Sequence, residues 1–242
     1  VSAKGGRIRL YLADIRPLYQ KEIQDRARTL VDAERRYKAD ACKTMRGKAA
    51  SLAAGLLADY ALRQSGLEEF GVRYDEKGKP RVMPKREECM NPADREPVYM
   101  SLSHSGDYAV CAVAPWPVGV DIQKEQPARS GMLRHLLDEE DRREFLERYG
   151  HTEGAKEAEE KTAEWLTGEA LREFFRLWTA KESYMKLTGT GMAVGFANLT
   201  VDLEAGIVRE KKRAHSAASW KQYRAPEGYY LSVCLEEERD GY

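Results

Sequence analysis

An α+β fold made of two similar halves, each a long helix packed on a small antiparallel sheet, is predicted by three features of this chain. Helical stretches are each followed by short extended runs, and this order occurs twice. A proline pair, Pro115-Trp116-Pro117, interrupts the pattern near the middle. Gly106-Asp107-Tyr108-Ala109 and Gly228-Tyr229-Tyr230-Leu231 echo each other at matching points of the two parts. The halves are therefore assigned as 1–117 and 118–242.

In chain order, the spacing predicts a short strand near Arg7 to Ile15 and a helical stretch from Asp32 to Arg63. Within that helix, Ala49-Ala50-Ser51-Leu52-Ala53-Ala54-Gly55-Leu56-Leu57 is small and apolar enough to pack closely. Gly78-Lys79-Pro80 reads as a turn, and Val98 to Ser103 and Tyr108 to Ala114 as extended runs. The proline break then leads, as in a hairpin connection, into a strand at Val118. In the second half a polar helical stretch from Asp138 to Tyr149 precedes a long helix ending near Leu187. Strands follow near Leu199 to Leu203 and Tyr229 to Leu235. The charge-rich Glu153 to Glu164 reads as a solvated helix or a mobile insertion. Gly189 and Gly191 are expected to cap and turn the chain after the long helix.

Forty basic residues balance forty acidic ones among 242, which argues against general nucleic-acid binding. The longest apolar run, from Ala109 toward Val118, is broken by Pro115 and Pro117 and is too short to span a bilayer. No signal or lipidation pattern is read at the Val1 end. Cys42, Cys89, Cys111 and Cys234 form no C-x-x-C pair, and His104, His135, His151 and His215 have no zinc-like spacing. A reducing, cytoplasmic setting is expected, with neither nucleic acid nor membrane as partner. Cys111 and Cys234 sit in strand-like runs and read as small buried hydrophobes.

Two carboxylates stand in apolar surroundings. In the long helix, Leu171, Phe175, Trp178 and Met185 recur at the spacing of one face, and Glu182 falls where that stripe needs another apolar residue. A buried charge without a partner is so costly that the group either neutralises or binds a cation. Lys186 lies one turn on and Lys181 is adjacent. In the strand Val118-Gly119-Val120-Asp121-Ile122-Gln123, alternation puts Val118, Val120 and Ile122 on one face and Gly119, Asp121 and Gln123 on the other, with Gly119 keeping that second face open. An Asp from a strand and a Glu from a helix suit a hard divalent ion such as Mg²⁺, which usually takes one or two carboxylates and completes its shell with water and substrate phosphate.

Gly119-Val120-Asp121, a long interval, then Trp178-Thr179-Ala180-Lys181-Glu182-Ser183-x-x-Lys186 resembles the paired signature of the 4′-phosphopantetheinyl transferases. Ser101-Leu102-Ser103-His104-Ser105-Gly106 and Gly78-Lys79-Pro80 stand where the surfactin-synthetase-activating type of that family has its upstream motifs. The resemblance spans most of the chain. It implies a pseudo-twofold arrangement of the halves, with coenzyme A in the cleft between them. It further implies Mg²⁺-dependent transfer of the phosphopantetheine arm to a serine of an apo acyl or peptidyl carrier protein, releasing 3′,5′-ADP, by a monomeric enzyme.

Carried over by motif, Asp121, Glu182 and Gln123 form the metal set. Glu182 takes the serine proton, Lys186 neutralises the leaving phosphate and Lys181 the diphosphate. Lys79, Ser103 and His104 face the 3′-phosphate, with Arg35, Lys38 and Ser51 as further contacts. Gln123 departs from the family's pattern, because many relatives carry a second acid there, and this puts metal affinity in question. A coenzyme A-binding protein that has lost efficient transfer is the rival reading, with Gln123 as its sign. A structural interaction domain explains neither Glu182 nor the ordered motifs. Arg134, Arg142 and Arg143 beside Met132 and Leu136 read as an ordinary solvated face, with an acidic carrier helix as the alternative.

Overall fold

In the computed structural model, which describes residues 7–67, 70–76, 78–84, 97–149, 165–191, 194–213 and 216–236, the strands of the two parts form separate sheets. The first part pairs β1 (Arg9–Asp14) with β5 (Tyr108–Ala114), and β5 with β4 (Tyr99–Ser105), all antiparallel. A hairpin of β2 (Phe70–Tyr74) and β3 (Pro80–Pro84) stands apart, with Gly78 turning at φ 80°. The second part orders its strands as β6 (Val118–Lys124), β10 (Tyr229–Glu236), β9 (Ala218–Tyr223), β8 (Ile207–Glu210) and β7 (Leu199–Asp202). The chain is thus α+β, and one connectivity recurs. In each part the first strand pairs with the last, and the last pairs with the strand before it.

Three helices precede the hairpin: α1 (Lys21–Leu30), α2 (Ala33–Ala41) and α3 (Met45–Gln64). The single helix expected from Asp32 is two, because a second cap, at Thr44, interrupts it. Asp32 accepts from the Arg35 amide at 2.7 Å and Thr44 from the Gly47 amide at 3.0 Å, each satisfying an amide that a helix start leaves unpaired. α1 escaped the periodicity because it buries little; Ala27 is its one fully buried residue. α3 buries a row of alanines and leucines in the same core as Cys111 and Val113 of β5.

The second part carries α4 (Leu133–Leu136), α5 (Glu139–Tyr149) and the long α6 (Gly168–Thr188). The charge-rich 153–164 lies outside the described residues. Pro115-Trp116-Pro117 is no hairpin turn. β5 and β6 belong to different sheets, and two residues without an N–H cannot continue a ladder. The tetrapeptide echoes meet in space. Gly106 and Gly228 both have positive φ, the Asp107 amide donates to the Tyr229 hydroxyl at 2.9 Å, and the Tyr108 and Tyr229 rings meet edge to face at 4.9 Å.

α6 lies on the β6–β10 face. Thr179 and Ser232 exchange a hydrogen bond at 2.8 Å, and the Ser183 hydroxyl reaches the Cys234 sulfur at 3.1 Å. Gly119 does not keep this face open, as the sequence reading had it; the helix backbone fills it. A Cβ at position 119 would stand 1.9 Å from the Ser183 carbonyl oxygen. Gly189, in the left-handed region at φ 67°, ends the helix as expected. On its other face β6 contributes Val118, Val120 and Ile122 to a core with Val110, Ala112, Leu231 and Val233. Cys111 and Cys234 are fully buried free thiols, each pushed up to about 12 by burial. Among the described residues no helix is long and apolar enough to cross a membrane.

Candidate functional site

The site lies where β4 meets β6 along a seam that carries no ordinary ladder. Alternation in Ser101-Leu102-Ser103-His104-Ser105 turns three hydroxyls to one face. Ser101 accepts from the Val120 amide and Ser105 from the Lys124 amide, both at 3.0 Å. Between them the Ser103 hydroxyl donates to Asp121 Oδ1 at 2.7 Å. Lys186, from α6, donates to the same Oδ1 at 2.6 Å and to Ser103 Oγ at 2.8 Å. Asp121 is 4% exposed, and its Oδ2 is buried with no hydrogen-bond partner. A desolvated carboxylate oxygen of this kind costs on the order of 1–3 kcal/mol unless something arrives to meet it.

Glu182 faces the same cluster from α6 and has no hydrogen-bond partner among the described residues. Burial, then the nearby Asp121 charge, holds its carboxyl above the ordinary glutamate value, with Lys186 opposing the rise. It borders a cleft of about 240 Å³ together with Lys79, Ser101, Leu102, Met185 and Lys186. One carboxylate carries an orphaned oxygen and the other is held against its preference for water. The pair fits a hard divalent cation that draws its remaining ligands from water and phosphate oxygens. Among the described residues no third His, Cys, Asp or Glu completes a metal cluster with these two carboxylates.

A second group holds His104 and, near enough to act on it through its charge, Arg35. The His104 ring is exposed on the β4 rim, yet loss of water, then Lys186 and Arg35, pull its pKa below the ordinary histidine value, so the imidazole is neutral at pH 7. Arg35 is 8% exposed, and burial lowers its affinity for the proton. Its guanidinium lies 5.0 Å from the centre of the Tyr74 ring, and the Lys38 ammonium 3.2 Å from the same centre. Lys38 also pairs with Glu34 at 2.9 Å.

Several expected site residues stand elsewhere. Of the adjacent charges Lys181 and Glu182 on α6, the fully buried one is Lys181. At 1% exposed, it donates to the carbonyls of Leu136 at 2.7 Å and Phe196 at 3.0 Å, on the helix side away from Asp121. Burial pulls its pKa down to about 8. Five residues separate it from Lys186, so the 100° step turns the two to different sides. Lys79 donates to the Leu187 carbonyl, one of those the end of α6 leaves unpaired, which explains why the Gly78 turn approaches Gly189. Ser103 belongs to the Asp121 cluster, because β4 turns its hydroxyl toward β6 while neighbouring His104 points the other way. The Gln123 amide donates to the Lys124 carbonyl at 3.2 Å and bonds neither carboxylate, since β6 runs out of the core after Ile122. Ser51 is buried in α3, and its hydroxyl makes no hydrogen bond among the described residues. Ser101, Ser105 and Tyr74 were not anticipated; the alternation of three serines was the legible sign of the first two.

Residues 117–234 match the family model described as the 4′-phosphopantetheinyl transferase superfamily. The chain is 26% identical over 230 residues to the 4′-phosphopantetheinyl transferase Sfp of Bacillus subtilis strain 168, covering 90% of this chain and 88% of that protein. It is 29% identical over 228 residues to another 4′-phosphopantetheinyl transferase of Bacillus subtilis, with the same coverage. A shorter stretch of 108 residues is 34% identical to the L-aminoadipate-semialdehyde dehydrogenase-phosphopantetheinyl transferase of Pongo abelii, covering 43% of this chain and 31% of that one.

Proposed function

Since this chain belongs to the 4′-phosphopantetheinyl transferase superfamily and is a phosphopantetheinyl transferase, we propose that it moves the arm of coenzyme A onto a serine of an apo acyl or peptidyl carrier protein, with Mg²⁺ as cofactor and 3′,5′-ADP as leaving group. The observation that carries this reading is the pairing of Asp121, with its orphaned Oδ2, and the unpartnered Glu182 beside a cleft lined by Lys79 and Lys186. Asp121 Oδ2 and Glu182 would hold the ion. When bound, it neutralises charge on the diphosphate oxygens.

In the reaction the serine oxygen forms a bond to phosphorus as the bond from phosphorus to the oxygen of 3′,5′-ADP breaks. The serine proton passes to Glu182, directly or through a water. Lys186 can exchange its bond to Asp121 Oδ1 for the phosphate, while Ser103 keeps the carboxylate in place. His104, Arg35 and Lys38 form the cationic group for the 3′-phosphate, and an arriving anion favours the protonated imidazole.

Incubation with coenzyme A, Mg²⁺ and a set of apo carriers, followed by weighing each carrier, tests the reading. The expected result is a mass gain of one phosphopantetheine on at least one carrier, abolished by chelation. No gain on any carrier, with coenzyme A still bound, would favour the rival reading of a coenzyme A-binding homologue.

A further inference from the structure

An arginine that is only 8% exposed normally has a carboxylate to meet it, and Arg35 has neither an ion pair nor a hydrogen bond through its side chain among the described residues. What it has is an aromatic face and a hollow. Tyr74 offers the face, taking Arg35 at 5.0 Å and Lys38 at 3.2 Å from its ring centre. Gly55 offers the hollow. A Cβ there would stand 2.6 Å from Arg35 Cγ and 3.1 Å from Val31, so the glycine in the middle of α3 makes room for the arginine's stem. A glycine inside a helix costs roughly 1 kcal/mol relative to alanine, and here it seats a cation that Asp32 and Glu34 favour through their charge but do not pair with.

We infer that Tyr74 is a positioning residue: its ring holds Arg35 and Lys38 side by side, two cations that would otherwise repel each other, and so presets them for the phosphate of an incoming nucleotide. The inference rests on the 3′-phosphate reading above. An attractive quadrupole under each cation offsets their mutual repulsion without competing for the ligand, as a carboxylate would. Glu34 pairs with Lys38 and acts on Arg35 through its charge without forming an ion pair with it, so the ring is the surface against which both cations rest. Tyr74 also stands on the hairpin whose turn carries Lys79. Lys79 is fastened to the end of α6, so the platform is fixed to the catalytic helix through one short hairpin.

The test is the ratio of dissociation constants for coenzyme A and its 3′-dephospho form, measured by calorimetry. The proteins are the wild type, Tyr74→Phe, phenylalanines of increasing ring fluorination at position 74, and Tyr74→Leu. Fluorination drains the ring face at nearly constant size, so folding is preserved while the cation contact weakens. The expected result is a wild-type preference for coenzyme A that Tyr74→Phe keeps. It should then decline stepwise with fluorination, by about 2- to 30-fold at full fluorination or in Tyr74→Leu. A wild type that discriminates, with a ratio insensitive to fluorination, overturns the role of Tyr74. A wild type that binds both ligands equally overturns the 3′-phosphate reading itself, and this inference with it.

Discussion

α3 and α6 do the same architectural work with opposite chemistry. Each is about twenty residues long, and each is the main helix over its own sheet. α3 reaches its core through Ala49, Ala53, Ala58 and Ala61 and buries no charge. α6 buries Glu173, Thr179, Lys181 and Ser183, and meets β6 and β10 through hydroxyls, a thiol and the bare backbone at Gly119. A scaffold helix can be made of small apolar groups alone. A helix that must present Glu182 and Lys186 at fixed height above Asp121 is held by directional bonds and by contact too close for a side chain.

The largest effect that would sharpen this contrast is expected from Glu182→Gln. Turnover should fall roughly 10²- to 10⁴-fold, as for loss of a general base, while unfolding by urea stays at wild-type values. A variant that turned over normally at saturating metal would remove Glu182 from the reaction. Next comes a pair of glycines. Gly119→Ala places a Cβ into the α6 backbone, which cannot yield locally, and should cost about 3 kcal/mol or more in denaturant unfolding. Gly55→Ala on α3 meets side chains, the stem of Arg35 at 2.6 Å and Val31 at 3.1 Å, which can shift where a backbone cannot, and the gain in helix propensity offsets part of the crowding, so its cost should stay within about 1–2 kcal/mol. Equal costs would break the distinction between the two helices.

A smaller, pH-dependent effect separates the two lysines. Lys181 has its folded pKa depressed to about 8, below the ordinary lysine value of 10.5. The unfolded chain therefore binds more protons between those values, and this residue's contribution to stability rises as pH climbs from about 8 toward 10.5. Unfolding of wild type and Lys181→Met at pH 7.5 and 9.5 checks the sign: the wild type should gain on the variant at the higher pH. A constant difference would mean that the amine keeps its proton. The smallest effect is expected at Gln123→Glu. With the side chain turned to the Lys124 carbonyl, Mg²⁺ binding should change little, whereas the sequence-based three-ligand reading expects it to tighten.

Alternation and periodicity made much of this legible. Val118, Val120 and Ile122 went to one core as the pattern required, β5 spans Tyr108–Ala114 as expected, and Gly189 ends α6. The break between α2 and α3 was missed because the Thr44 cap was read through as helix. Side-chain partners were less legible, for a physical reason. A motif fixes which residue stands where on the chain, but whether Lys181 or Glu182 takes the buried side depends on which carbonyls α4 and the segment after α6 leave to be met. Lys79 likewise went to a helix end whose unpaired carbonyl no local pattern announces.

The central claim is that Asp121 and Glu182 form half of a cation site that coenzyme A phosphates complete. Calorimetric titration of Mg²⁺ into the protein, with and without coenzyme A, tests it most directly, with Asp121→Asn as the control. The account predicts weak Mg²⁺ binding to the protein alone and binding tightened by coenzyme A by roughly 5- to 150-fold, an effect lost in Asp121→Asn. Equal Mg²⁺ affinity with and without coenzyme A, or wild-type behaviour in Asp121→Asn, would contradict it.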